Sequence, residues 1–256
     1  MWFQYFPIHR GKGLLLRWLL EPILPPKPAS FEHKLRFGFS VPLFYREDTG
    51  TKVLFEHNYE AAEIARMCDL IVPGTTVLDV GANIGLCSLE FAHTTGKLGR
   101  VIAFEPNANT ANRLRQNLSN NGVENVTIEQ VAVANQEGSI TFHESDQPTL
   151  SSATRIPPNH VQSYDVPVVR VDDVWSRAGR PRVSLLKIDV EGGELAVLQG
   201  ASELLAAHSP AIMLEAWGEP QLGPIQAHLA RIGYQRIQPK GFESRNHLFM
   251  VPASAT

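Results

Sequence analysis

The sequence predicts an α/β fold: a seven-stranded, mostly parallel sheet with an antiparallel last strand, flanked by helices and preceded by an N-terminal arm. Three observations predict it. A strand–turn–helix pattern recurs three times over from Thr76 onward. Residues 77–86, V-L-D-V-G-A-N-I-G-L, turn an apolar strand sharply into a helix through glycines. The chain closes as β-α-β-β, and such a terminal hairpin sets the last strand antiparallel.

The elements follow in order. Residues 1–30 mix aromatics and leucines with Arg10, Lys12 and Arg17, and then meet Pro22, Pro25, Pro26 and Pro28. This is an amphipathic arm on a proline hinge. It packs on the domain or on a twin subunit, anchors on a membrane surface through residues 1–25, or covers the acceptor. Residues 31–256 form the main domain. Its first part, 31–73, supplies cap strands and a helix: an alternating run at 37–41, a turn at 48–50, a short apolar run at 52–55, and a helix over 59–69 ended by Pro73-Gly74.

The core, 74–256, is expected to hold strands at 76–80, 101–104, 126–129, 185–190, 211–215, 234–238 and 248–251. Helices are expected over 86–95, 110–118, 194–198, 203–208 and 223–232. A further strand pair, 139–142 and 166–171, flanks an irregular stretch at 144–160. A loop of that length within a compact domain is more often functional than idle.

Bulk properties narrow the classes. The 256 residues are 43% hydrophobic and 19% charged, enough for one large α/β domain with an arm. The net charge of −3 gives no footprint of a nucleic-acid binder. Cys68 and Cys87 are isolated, which disfavours a zinc site or a disulfide framework and suits plain packing. The apolar run at 14–20 is split by Arg17, too short to cross a bilayer and a poor signal peptide. The expected location is the cytoplasm, peripheral to the inner membrane face if the arm anchors there.

Ligands of open α/β sheets bind beyond the carboxyl ends of the strands. Asp79, Glu105, Asp189 and Glu215 stand at four such ends. One acid there can be a helix cap, but four at one rim point to a crevice. A dinucleotide needs G-x-G-x-x-G to receive its pyrophosphate, whereas here Asn83 stands where the second glycine belongs, between Gly81 and Gly85. Asp79 just ahead of the turn also repels an anion. The pattern suits S-adenosylmethionine, which carries a sulfonium and an ammonium group and no phosphate. Glu105 then accepts the ribose hydroxyls, and Asp79 serves the amino-acid end directly or through water. Ala132, between Val131 and Val133, is placed to meet the adenine through its backbone.

At these blocks the chain resembles the FkbM-type methyltransferases, class I enzymes of Rossmann-like fold. The resemblance covers nearly all of residues 36–252. L-F-E-H-N-Y-E (54–60) is similar to the family's lead into its first core helix. V-L-D-V-G-A-N-I-G (77–85) and V-I-A-F-E-P-N (101–107), which includes Asn107, are similar to its cofactor motifs. S-S (151–152) sits where the family has a serine-rich loop. V-V-R-V-D-D-V (168–174) departs from the usual Thr-Leu-Asp by carrying Arg170 and Val171. L-L-K-I-D-V-E-G-G-E-L-A-V-L-Q-G-A (185–201) is the most specific match. The resemblance implies methyl transfer, mostly to a hydroxyl oxygen of a glycan, sugar or natural product.

Residues 187–194 also carry a physical reading. Alternation puts Lys187 and Asp189 on one side of their strand. An alcohol attacks only if a base takes its proton as the new bond forms. Asp189 is the expected base. Lys187 orients it, contacts the acceptor, or pairs with a neighbouring acid. Glu191 and Glu194 contact acceptor or cofactor, or cap the next helix. A rival mechanism has Asp189 and Glu215 hold Mg²⁺, which lowers the acceptor's pKa; it is not favoured, since no third ligand is evident and His143, His160 and His247 lack ligand spacing. Other rivals are methyl transfer to nitrogen or carbon, a nucleotide-dependent oxidoreductase, and a catalytically silent binding module.

Overall fold

A computed structural model describes residue 25 and residues 29–56, 61–157 and 159–252. Nearly all of the N-terminal arm, and residues 57–60 of the 54–60 block, lie outside the described residues. No helix among the described residues is long and apolar enough to cross a membrane.

The central sheet has seven strands. They are β3 (Thr76–Val80), β4 (Arg100–Phe104), β5 (Val126–Glu129), β9 (Val183–Ile188), β10 (Ala211–Glu215), β11 (Gln235–Ile237) and β12 (Asn246–Met250). Their order is β11-β12-β10-β9-β3-β4-β5. The β3–β4, β4–β5, β3–β9 and β9–β10 pairs are parallel, and β12 runs antiparallel to both β10 and β11. Mostly parallel, with an antiparallel terminal strand, this is the expected fold.

Buried on both faces, the inner strands β3, β4, β9 and β10 are near-continuous apolar runs, and alternation sorts their side chains. Leu78, Val80, Ile102, Phe104, Leu186, Ile188, Ile212 and Leu214 face one core. There they meet α5 (Val171–Arg177), α6 (Glu194–Gln199), α7 (Ser202–His208) and α8 (Glu219–Arg231) through Trp175, Leu198, Leu204 and Leu229. Val77, Val101, Leu185, Met213 and Leu248 face the other. That face is covered by α2 (Ala61–Leu70) and α3 (Leu86–Thr95) through Ile64, Met67 and Phe91. The helix α4 (Ala108–Asn120) follows β4.

Within the block at 168–174, Asp172 has a structural role. Asp172 is 2% exposed. Its carboxylate accepts from the backbone N–H groups of Glu203 and Leu204, satisfying free donors in the first turn of α7.

The cap differs from expectation. β1 (Ser30–Lys34) and β2 (Ser40–Phe44) form an antiparallel hairpin, and residues 37–39 lie in its turn. Their alternation reflects docking: the Phe37 ring stacks on His93 of α3, with centroids 4.1 Å apart, and Phe39 meets the same ring edge-on. Residues 48–55 are neither turn nor strand but part of α1 (Asp48–Glu56). Asp48 supplies the acid that favours a first helical turn. Gly50 is needed there for clearance, since a Cβ would lie 2.0 Å from the Phe44 carbonyl oxygen.

Between β5 and α5 the chain adds a second layer. β6 (Ala132–Val133), β7 (Gly138–Ser145) and β8 (His160–Val169) make a three-stranded sheet in the order β6-β8-β7. The β7–β8 hairpin is longer than predicted, so the irregular stretch shrinks to residues 146–159. Helix α8 begins four residues before the predicted start: Gly218 at φ 71° turns the chain, and Pro220 suits a first turn.

Candidate active site

A cavity of about 440 Å³ opens beyond the carboxyl ends of β4, β3, β9 and β10. Glu105, Gly81, Asp189 and Glu215 line it in that strand order. Neighbouring strands lie about 4.8 Å apart, so Glu105 and Asp189 stand two strand spacings from each other.

The turn after β3 brings backbone close to backbone. Gly81 has φ 80°, and a Cβ on it would lie 1.8 Å from the Asp189 carbonyl oxygen. Asn83 also takes a left-handed φ of 51°, which aims its N–H at Glu105. Gly85 does not line the cavity. It begins α3 at φ 90°, where a Cβ would strike the Leu114 side chain of α4 at 2.1 Å.

Glu105 takes one backbone N–H on each oxygen, from Asn83 at 3.0 Å and from Asn107 at 2.9 Å. Burial pushes its pKa up to about 7, against the pull of those two donors. Asn107 does not line the cavity; it caps α4, accepting from the Thr110 N–H, while its own N–H braces Glu105. Beyond Glu105 the wall is apolar, made by Val131, Ala132, Val133, Ile140 and Phe142. Ala132 thus lines the cavity on the side of Glu105.

Asp79 requires a correction. It is fully buried and does not reach the cavity. Its carboxylate accepts from Ser88 Oγ at 2.6 Å and lies 3.4 Å from Lys187 Nζ. Lys187 also donates to the Gly81 carbonyl at 2.8 Å and stands 3.5 Å from Asp189. A charge buried beneath the floor needs this partner. Lys187 therefore ties Asp79, the glycine turn and Asp189 together.

Asp189 follows β9 directly, and its N–H still donates to the Val80 carbonyl. Its side chain is 33% exposed. Asp189, Glu191 and Glu215 bring carboxylate oxygens within 4.8 Å of one another. Glu191, at φ 55°, turns back to join them and is the third carboxylate that sequence spacing did not reveal. Each of the three has a cationic partner: Lys187 for Asp189, Arg155 at 2.8 Å from Glu191 and Arg245 at 3.2 Å from Glu215. Burial and the adjacent Asp189 carboxylate raise the pKa of Glu215, against the pull of Arg245. Burial raises Glu191 as well. Glu194 stays with its helix, accepting from the Gly192 N–H, and burial raises its pKa too.

The chain matches the methyltransferase FkbM domain family over residues 79–236. It belongs to the FkbM methyltransferase family. Relatives of this FkbM-family chain include a 2-O-methyltransferase, NoeI, of Sinorhizobium fredii, 31% identical over 52% of this chain and 60% of NoeI. Another is the hexuronic acid methyltransferase AglP of Haloferax volcanii, 30% identical over 50% of each chain. A third is the 31-O-demethyl-FK506 methyltransferase FkbM of Streptomyces tacrolimicus, 30% identical over 72% of this chain and 77% of that one. The chain thus spans 60% and 50% of the first two proteins' lengths. A crystal structure of methyltransferase FkbM from Methylobacillus flagellatus shares the fold, with a TM-score of 0.51 at 18% identity, covering 80% of this chain and 55% of that one.

Several lining residues of this FkbM-family cavity were not singled out from sequence: Asp48, Lys52, Thr154, Trp217 and Arg245. Asp48 and Lys52 come from α1, misread as turn and strand. Trp217 lies two residues past an acid-ended strand, so extending the strand-end rule by one turn would have found it.

Proposed function

We propose that this chain is an S-adenosylmethionine-dependent O-methyltransferase acting on a hydroxyl of a sugar, glycan or natural product. The observation that carries the reading is Asp189, a part-exposed carboxylate two strands from Glu105 in one cavity. Two relatives, the 2-O-methyltransferase NoeI and the 31-O-demethyl-FK506 methyltransferase FkbM, support oxygen as the acceptor atom.

The residues fit the cofactor. Glu105 has each oxygen bound to a backbone donor, which fixes the carboxylate and leaves lone pairs for two ribose hydroxyls. The wall at residues 131–133 suits a flat base. When bound, adenosylmethionine supplies a methyl group on a sulfonium. The chain does the rest: Lys187 holds Asp189 in place, Asp189 takes the proton of the attacking hydroxyl, and in-line positioning contributes much of the rate.

Calorimetry tests the reading. S-adenosylhomocysteine should bind and NAD should not; the reverse would remove it. The pH dependence has a definite sign. Only the ionised Glu105 accepts from both hydroxyls, and its pKa in the free protein is about 7. Affinity should therefore hold level above about pH 8. It should fall as pH drops below 7, approaching about tenfold per unit. Glu105→Gln should abolish that slope.

The carboxylates at 189, 191 and 215 also bear on Mg²⁺. Two of the three already have arginine partners, which weakens their claim on a cation. Transfer should stay within about twofold in EDTA. Loss of activity that Mg²⁺ restores would establish the metal mechanism instead.

A further inference from the structure

We infer that Trp217 is the platform on which the acceptor lies, and that the acceptor unit is a pyranose ring presenting its C–H face to the indole. This rests on the O-methyl transfer reading and names the substrate class of that site.

The placement comes from the strand order. Across β4, β3, β9 and β10 the cavity presents Glu105, Gly81, Asp189 and Glu215. A nucleoside held at Glu105 fills the β4–β3 end. The reacting hydroxyl must reach Asp189 over β9. What remains for the body of the acceptor is the far end, beyond β10. Trp217 lines that end, two residues after Glu215.

Trp217 is 53% exposed, although it is the largest apolar side chain lining the cavity. Its main chain is held. The Trp217 N–H donates to Gln221 Oε1 at 2.6 Å, and the preceding Ala216 N–H donates to the Arg245 carbonyl at 2.8 Å. The Arg245 guanidinium lies 5.2 Å from the ring centroid and also pairs with Glu215 and Glu243. The indole is thus a braced plate with apolar surface left open.

The surroundings select the ligand. Against this plate stand Gln221, which accepts the Trp217 N–H, and Arg245, whose guanidinium lies over the ring. The apolar wall at residues 131–133, 140 and 142 lies at the other end, beside Glu105. A pyranose matches a single apolar plate with polar groups at its margin: its ring C–H groups lie on the indole, and its hydroxyls meet donors and acceptors around the edge. A purely aliphatic alcohol would cover those polar groups without adding any hydrogen bond to the ones they already make. Aromatic plates of this kind carry a large share of binding where they occur.

Saturation-transfer NMR on the S-adenosylhomocysteine complex tests the inference, with three probes: methyl α-D-mannopyranoside, methyl β-D-glucuronopyranoside and cyclohexanol. At least one pyranoside should bind, with saturation strongest on the ring protons of one face. Trp217→Ala should weaken that binding by about tenfold or more, and Trp217→Phe by less than about threefold. S-adenosylhomocysteine affinity, measured by calorimetry, should match the wild type in both variants, which shows the fold and the cofactor half intact. Equal pyranoside binding by Trp217→Ala, no binding of either pyranoside, or preference for cyclohexanol would overturn the inference. Failure of the wild type to bind S-adenosylhomocysteine would instead remove the reading beneath it.

Discussion

Asp189→Asn is expected to slow methyl transfer by about 10²- to 10⁴-fold, the usual contribution of a positioned base. S-adenosylhomocysteine affinity should change by less than about threefold. The substitution removes charge with little change of shape. The main chain at 189 is anchored independently of the side chain: its N–H donates to Val80, and its carbonyl lies against Gly81. Glu105 and its two backbone donors are untouched. Label from the cofactor's methyl group is followed into whichever acceptor the wild-type protein methylates. Turnover within tenfold of wild type would mean that another group takes the proton. Glu215 is the poorer candidate: its carboxylate is already paired with the Arg245 guanidinium at 3.2 Å.

Gly81→Ala should be comparably damaging, by another route. Two costs combine. The residue sits at φ 80°, where an L side chain loses roughly 1–2 kcal/mol. The new Cβ would also lie 1.8 Å from the Asp189 carbonyl oxygen, and that oxygen is backbone, so the β3 turn and the end of β9 must part. Separation there moves Asp189 and breaks the Lys187 contact to the Gly81 carbonyl. Transfer should fall by at least about 100-fold, with a lowered melting temperature. Gly74→Ala isolates the first cost: φ is 81°, but nothing lies within 4 Å of the added methyl. It should lose about 1–2 kcal/mol of stability and keep wild-type kinetics. Equal activity in the two variants would show that the close approach at Gly81 has no catalytic consequence.

What could be read in the sequence was what repeats or alternates. The parallel strands are continuous apolar runs bounded by glycine turns, so the sheet and its antiparallel terminus were legible. So was the rim of acids, because each ends a strand. The same logic overreached at Asp79, where alternation indicates a side but not the depth of the floor. The fate of α1 was hidden because D-T-G resembles a turn, and the need for Gly50 arises from Phe44, distant in the fold's logic though near in sequence. Glu191 joined the carboxylates through a left-handed backbone at a non-glycine residue, which local propensity argues against. Arg245 and Glu215 lie thirty positions apart and meet only through the β10–β12 pairing.

The stitching between residues 146–159 and Glu191 separates two kinds of inheritance. Ser152 and Thr154 both donate to the Glu191 carbonyl, at 3.0 and 2.8 Å, and Gln147 ties the same segment to α1 by accepting the Asp48 N–H. In the proposed function the grip on the cofactor rests instead on β3, β4, their turns and the apolar wall at residues 131–133, 140 and 142. Mutations in residues 146–159 can thus explore new acceptors without trespassing on that grip, provided the two hydroxyls persist. A lineage built this way diversifies its products by rewriting one segment, while the rest of the gene stays under the unchanging demands of a single shared donor.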